Sequence, residues 1–386
     1  MLEKKWYAGG IRKNVLDWIA AAGICGCLIG AYIKIEYYQI MVKYMPLISV
    51  FVMAVFFFNH VNWIESLKNR DWRLYLVIAG IFIELINIKV SNSGFGVILN
   101  LVTFLFVLYL ADKVKINRFC YYAITLTCLG CLIYWLGKAE NQYNTNMASM
   151  IAFILAAGTM PGIGICLKKT NHENFYRWYS LLITAAAVAL AWKLRARGIM
   201  IGIGVFWIIS LLIPKCAWKP KYLYRTAVIL LLSGGLMLPL IYVWNWKNGN
   251  IENFAWLGKN FYTAREKIWI QFFEAFYKEP WTGIGSNIEG KIVDPLFTEV
   301  HNGYLHLLFI YGIIIFAILI VLWIYVFWKA QEDAKNSVFS RQNIYMAVGL
   351  MISTISENYI VLPAFNLVYF LILTGFYQHL FIQEDE

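Results

Sequence analysis

Charge is scarce in this sequence. Only 14% of its 386 residues are Asp, Glu, Lys or Arg, 61% are hydrophobic, and the mean hydropathy is +0.61. Soluble domains carry about 25% charged and roughly 45–50% apolar residues, so a water-soluble globule is excluded. The net charge of +11 is spread through short gaps between apolar runs. No basic stripe with interleaved aromatics stands apart, which excludes nucleic acid as the partner. Paired cysteines are also missing. The seven cysteines include no CxxC pair; Cys25, Cys27, Cys120, Cys128, Cys131 and Cys166 lie in or beside apolar runs, and Cys216 in a basic loop. That gives no disulfide or zinc framework, and buried cysteine acts as a small hydrophobe. No internal repeat is visible, which counts against a transporter built from two related halves. No low-complexity tract occurs.

What is present is a series of apolar runs near membrane-spanning length, about 20 residues each. They fall at about 15–33, 45–63, 72–90, 94–111, 118–136, 146–167, 177–194, 198–213 and 223–244, then 303–328, 342–359 and 363–382. The expected fold is an all-α integral membrane protein, one polytopic domain over 1–386 with about twelve spans. The first run follows Lys4, Lys5, Arg12 and Lys13 like a signal peptide. It reaches spanning length without a clear cleavage site, so it reads as a transmembrane helix.

Basic residues set the orientation. With the N-terminus inside, the inner gaps hold Lys68, Arg70, Arg73, Lys113, Lys115, Arg118, Lys168, Lys169, Arg177, Lys215, Lys219, Lys221, Arg225, Lys329, Lys335 and Arg341. Both termini then face the cytoplasm, and the long loop 245–302 between spans nine and ten is extracytoplasmic. One outer turn breaks the pattern. "WKLRARG" places Lys193, Arg195 and Arg197 together without an acid, and this cation cluster invites a bound anion.

Inside the long loop, Thr263 and Glu266 have capping-box spacing, and Ile268, Trp269, Phe272, Phe273, Phe276 and Tyr277 share one helical face. An amphipathic helix over about 263–279 is expected, lying on the membrane surface and stopped by Pro280. Arg265 in its first turn is mildly unfavourable against the helix dipole. It is either a solvated surface arginine or, with the free N–H groups, a phosphate site. "GIGSN" (283–287) follows, where Gly283 and Gly285 permit either a sharp turn or close approach to a ligand. "TEVHNGYLHLLFIYG" (298–312) then puts His301 and Asn302 at the start of the tenth span.

These pieces, in this order, resemble the O-antigen ligase and polymerase superfamily of bacterial membrane glycosyltransferases. The family has a Ser-Arg-Gly step, a Gly-Arg loop helix, a Pro-x-x-Gly-x-Gly turn and a His-Asn-x-x-Leu helix start with a later glycine. Here Arg197 stands in the first motif, with Ala196 replacing serine; Arg265 stands in the second, with Ala264 replacing glycine. His301 and Asn302 match the fourth. "NTNMASMIAF" (144–153) is similar to the family's Asn-Pro-Asn start of a middle span. The resemblance covers roughly the second two-thirds of the chain.

It implies glycan transfer from a polyprenyl-diphosphate-linked oligosaccharide to an acceptor glycan at the outer membrane face, without cofactor or metal. A flippase and a chain-length regulator are the implied partners beside the lipid bilayer. The outer segments contain no Asp-x-Asp, His/Cys cluster or carboxylate pair with metal spacing. A departing diphosphate develops negative charge, and Arg197 and Arg265 would stabilise it. Arginine suits bidentate phosphate contacts. His301 would be the general base for the acceptor hydroxyl, or its orienter. Arg195, Asn302, Gly283, Gly285, Trp269 and Glu357 are the candidate substrate-binding residues.

Other polar residues have plainer readings. His306 lies off the His301 face and reads as a packing group. Arg195 and Arg197, two apart, cannot point at one spot from a regular helix. Glu84, inside the third span, is either functional or paired with a polar neighbour. The Trp and Tyr residues near span ends form an interfacial belt. The motifs do not separate a polymerase, which joins repeat units, from a ligase, which moves a finished glycan to lipid, cell wall or protein. A composition rich in Ile, Lys, Asn and Tyr favours the polymerase, since AT-rich genomes are common among bacteria without an outer membrane. A transporter or flippase would line the middle of several spans with ionisable residues; here the distinctive charges cluster at one face.

Overall fold

The computed structural model describes residues 2–32, 35–91, 93–137, 145–168, 172–249, 255–256, 259–260, 265–288, 292 and 299–377. Thr263 of the expected capping box, Asn144 and residues 378–382 lie outside them. Each of the expected spans carries a helix. In order these are α1 (Leu2–Tyr32), α2 (Ile35–His60), α4 (Trp72–Ser91), α5 (Phe95–Leu110), α6 (Arg118–Gly137) and α7 (Thr145–Lys168). Then come α8 (Glu173–Lys193), α9 (Arg197–Leu212), α10 (Lys221–Lys247), α12 (Gly303–Asn336), α13 (Val338–Ser353) and α14 (Pro363–Thr374). A short α3 (Trp63–Lys68) follows α2, and α11 (Arg265–Phe276) lies in the long loop with a small antiparallel pair, β1 (Ala255–Trp256) and β2 (Lys259–Asn260).

Among the described residues, six stretches are long and apolar enough to cross a membrane: Lys13–Tyr32, Ile40–His60, Arg118–Gly137, Met147–Leu167, Lys221–Lys247 and Gly303–Asn336. Phe95–Leu110, Arg197–Leu212 and Phe365–Thr374 are apolar but shorter. The interior is closed by α13, buried on all sides even at Arg341, Gln342 and Asn343. Most of their polar groups find partners within the bundle, as a dry interior favours, although Asn343 Oδ1 has none among the described residues. Gln342 Oε1 accepts from Ser180 Oγ (2.9 Å) and Ser210 Oγ (3.0 Å), and Arg341 donates to the Ala334 carbonyl (2.7 Å).

Helix α13 differs from expectation at both ends. It begins at Val338 and stops at Ser353, and residues 354–362 form an irregular segment before α14. Pro363 explains the second boundary, since it sits in the first turn of α14 and disfavours helix before it. Glu357 therefore belongs to a turn and not to a helix end. That turn sits against α9: Gly198 and Gly202 lie so close to Ser356, Ser353 and the Gly349 carbonyl that any Cβ would overlap them. Small residues here let two backbones approach.

The two ends of the bundle are chemically different. At one end Arg73 donates twice to Asp112 (2.8 and 2.9 Å), Lys329 also reaches Asp112, Lys113 pairs with Asp71 (2.7 Å), and His60 with Asp17 (2.8 Å). Helix α12 has 34 residues, about 50 Å of helix. His301 precedes its first residue and Lys329 lies near its last, so the two lie at opposite ends.

Gly312 interrupts α12 with φ 78° and ψ 173°. The turn after α11 fills the break. Ile284 N–H donates to the Phe309 carbonyl (2.7 Å), Gly285 N–H to the Ile310 carbonyl (3.2 Å), and Ile313 N–H to the Pro280 carbonyl (2.9 Å). Every donor and acceptor freed by the break at those positions is taken up again, as buried backbone requires. Gly283 and Gly285 also have positive φ, 75° and 71°. A Cβ on Gly283 would stand 2.5 Å from the Gly312 nitrogen. Gly283→Ala is therefore expected to lower the midpoint of thermal unfolding in detergent, with strain of about 1–3 kcal/mol before the clash. Gly204→Ala, where nothing lies within 4 Å of the added methyl, is expected to leave the midpoint in place.

Candidate functional site

Four candidate residues from four separate segments meet at the end away from Asp112. The first is Arg197. Helix α8 closes with Ala196 N–H on the Ala191 carbonyl (2.9 Å) and Arg195 N–H on the Trp192 carbonyl (3.1 Å). This is a Schellman ending, with Arg195 at φ 53° in the left-handed place that glycine usually takes. The reversal puts Arg197 in the first turn of α9 and leaves Arg195 exposed on the turn itself. Arg197 lies close enough to Arg265 for the two charges to repel.

Arg265 opens α11. Its Nη2 donates to Glu357 Oε1 at 2.9 Å. The other carboxylate oxygen, Oε2, lies 3.1 Å from His301 Nδ1. Glu357 thus bridges the guanidinium and the imidazole. Nδ1 carries the proton in this contact, so Nε2 is the nitrogen that can accept one. The hydrogen bond to Glu357 raises the His301 pKa above its ordinary 6.5; burial opposes this, the Glu357 charge adds to it, Arg265 opposes it, and Glu299 adds to it. The ring keeps 39% of its side-chain surface exposed, which leaves access for a reactant.

The backbone at His301 is held in the left-handed region, φ 49°. Its neighbours impose this. Trp269 Nε1 donates to the Val300 carbonyl (2.7 Å), Asn302 Nδ2 to the Ile355 carbonyl (2.9 Å), and Gly303 N–H to the Thr354 carbonyl (2.9 Å). Asn302 Oδ1 also caps α12 by accepting from Leu305 N–H (2.8 Å). Strain of this kind persists only where the surroundings over-determine it. A second instance lies nearby: Val361, β-branched and buried, has φ 58° in the segment that carries Glu357.

The candidate substrate contacts therefore divide. Arg197, Arg265, His301 and Glu357 are brought together. Asn302 is fully buried, and its amide serves the α12 cap and the Ile355 carbonyl. Trp269 is buried with its indole N–H on Val300. Gly283 and Gly285 serve the α12 break. These four build the frame and face no open space. The apolar face of α11 also packs on protein: Phe272, Phe273 and Phe276 surround Phe309 at 5.8, 4.8 and 5.4 Å between ring centres, and Trp269 meets Tyr242 of α10 at 5.4 Å. The expected membrane-surface helix is thus docked on α10 and α12, with Tyr277 and Trp281 left facing outward. It ends at Phe276, short of 279.

Sequence reading did not single out Tyr242, whose hydroxyl lies 3.4 Å from the buried Glu266 carboxylate, nor the bridging role of Glu357. Glu84 is buried in α4, hydrogen-bonded by Asn87, and Asn87 donates to the Thr282 carbonyl (3.4 Å). His306 packs edge-on against Tyr311 (6.4 Å, 76°). Among the described residues no three His, Cys, Asp or Glu side chains gather as metal ligands. No protein-family model matches the chain, and no curated protein matches it in sequence.

Proposed function

We propose that the protein is a membrane glycosyltransferase that extends a surface polysaccharide, taking glycan from a polyprenyl diphosphate carrier at the extracytoplasmic face. The observation that carries this reading is the Glu357 bridge between Arg265 and His301 (2.9 and 3.1 Å), which sets an anion-binding guanidinium beside a base. Arg197 supplies a second cation. The basic cluster of Arg73, Lys113 and Lys329 at the opposite end supports, by the positive-inside rule, an orientation with twelve crossings in which that end and both termini face the cytoplasm.

In the reaction, the acceptor hydroxyl oxygen attacks the anomeric carbon of the donor glycan. The new glycosidic C–O bond forms as the anomeric C–O bond to diphosphate breaks. Polyprenyl diphosphate leaves with the bonding electron pair, and the hydroxyl proton passes to His301 Nε2. A guanidinium about 4 Å from the leaving charge contributes on the order of 4 kcal/mol of attraction at an effective dielectric of about 20. Arg265 has five N–H donors in a planar fork, enough for a bidentate contact with phosphate.

Reconstitution of the purified protein with a polyprenyl-diphosphate oligosaccharide tests the reading. Chain growth is the expected product. Transfer to a different acceptor would make the protein a ligase, and movement across the bilayer without a new glycosidic bond would overturn glycosyl transfer altogether.

A further inference from the structure

We infer that Glu357 couples the two halves of the site: anion binding at Arg265 releases its carboxylate to His301, so the donor switches on the base. The inference rests on the glycosyl-transfer reading and adds an order of events to it. Glu357 is a positioning residue here, since it acts through its two neighbours.

The argument begins from how one carboxylate is shared. Oε1 is taken by Arg265 Nη2 at 2.9 Å and Oε2 by His301 Nδ1 at 3.1 Å. Both are charge-assisted contacts, shorter and stronger than neutral ones. The side chain is only 21% exposed, so solvent screens the exchange poorly. Before donor binds, Arg265 acts against His301 twice. It draws carboxylate charge towards Oε1, and its own positive charge disfavours a proton on the ring. A diphosphate at Arg265 and Arg197 offsets that positive charge and competes for the guanidinium donors. Glu357 is then left to His301, and the imidazole gains basicity.

The charges that face the ring are accounted for on each side. Glu357 comes from the 354–362 segment, Arg265 from α11 and Glu299 from the ring's own loop. Arg197 of α9 acts through Arg265, with which it repels. Among these four groups, Glu357 is the one bonded to both the guanidinium and the imidazole, so it is the carboxylate that the two can exchange. Two features keep the geometry from relaxing away. His301 is fixed by the bonds at Val300, Asn302 and Gly303, and Glu357 is fixed by the tight α9 seam at Ser356. A switch needs such held parts, because loosely held side chains would follow the ligand without passing charge along.

One consequence is order. With Arg265 engaged by Glu357, an acceptor that arrives first meets a weaker base, and acceptor hydroxyls, including water, are left alone until a donor is in place.

The test is histidine-selective NMR of the detergent-solubilised full chain, following the His301 ring against pH with and without inorganic diphosphate. In the wild-type protein, diphosphate is expected to bind and to move the His301 titration midpoint upward. Glu357→Gln is expected to lower the midpoint and to shrink the diphosphate-induced shift. Glu357→Asp, which keeps the charge but shortens the reach across both partners, is expected to shrink the shift as well. Diphosphate that binds the wild-type protein and leaves the His301 midpoint unmoved overturns the coupling and spares the glycosyl-transfer reading. An equal shift in wild type and Glu357→Gln also overturns the coupling. Failure of diphosphate to bind at all overturns both. The wild-type arm needs no variant to fold.

Discussion

Removing the Arg265 guanidinium is expected to slow glycan transfer by about 10²–10³-fold, the usual cost of losing one preorganised transition-state contact. The loss in Arg265→Ala should fall on kcat as well as on the apparent affinity for donor, because charge on the bridging oxygen grows as the bond to the sugar breaks. Arg265→Lys keeps the charge but not the planar fork. A lysine amine in reach of Glu357 has no second arm rigidly aimed at phosphate, so only part of the rate should return. Arg197→Ala is expected to act in the same direction. The two arginines repel in the free protein, so each loss also relieves strain that the donor would otherwise relieve. The double variant should therefore cost less than the product of the single losses. Initial rates with a purified polyprenyl-diphosphate donor measure all four variants. An Arg265→Ala protein that is folded and fully active would remove the anion site from the mechanism.

How far this arrangement can be read from residues alone varies by level. The helices are legible because an apolar run of bilayer length has few alternatives: backbone groups in hydrocarbon must bond within their own segment. The break at Gly312 is not legible in that way. It depends on Pro280, Ile284 and Gly285, about thirty residues earlier, bringing their backbone groups to the gap. A Pro-x-x-Gly-x-Gly turn and a glycine inside an apolar run each look local, and only the fold reveals that one fills the other. Asn302 and Trp269 illustrate a related limit. Polar groups beside a candidate base suggest ligand contacts, yet both are spent on backbone carbonyls that fix the base. The hydrogen-bonding capacity of a side chain is visible in a sequence; the direction in which it is used is a tertiary property.

Glu357 is the least legible of the four site residues from sequence. In "STISENYIVLP" the apolar pattern carries on past Ser353, and the end of α13 at Ser353 depends on Pro363, on Val361 in a left-handed conformation and on the bonds from Asn302 and Gly303 to the 354–355 backbone. None of these is local enough to produce a periodic signal. The reverse is true of Arg197, where three cations in one tight turn single out the position from charge alone, although the left-handed Arg195 that makes the turn offers no glycine as a signal.

His301→Asn is expected to reduce transfer by about 10²–10⁴-fold, the range for loss of a general base. Asparagine is the informative choice because the backbone at this position has φ 49°, a region that Asn tolerates and Ala does not. An alanine variant would mix loss of the base with backbone strain of about 1–3 kcal/mol. The pH dependence gives the second readout. A base works in its neutral form, so the rate should rise with pH through the His301 midpoint, which the Glu357 hydrogen bond holds above the ordinary 6.5. Glu357→Gln removes that bond, so the acid limb should move to lower pH, while each neutral His301 becomes a weaker base and the plateau falls. His301→Asn should abolish the limb, leaving a low rate that is flat with pH across this range. If His301→Asn kept both the rate and the acid limb, some other group would be taking the proton, and the Glu357 contact would be a structural ion pair holding the α12 cap against the 354–362 segment.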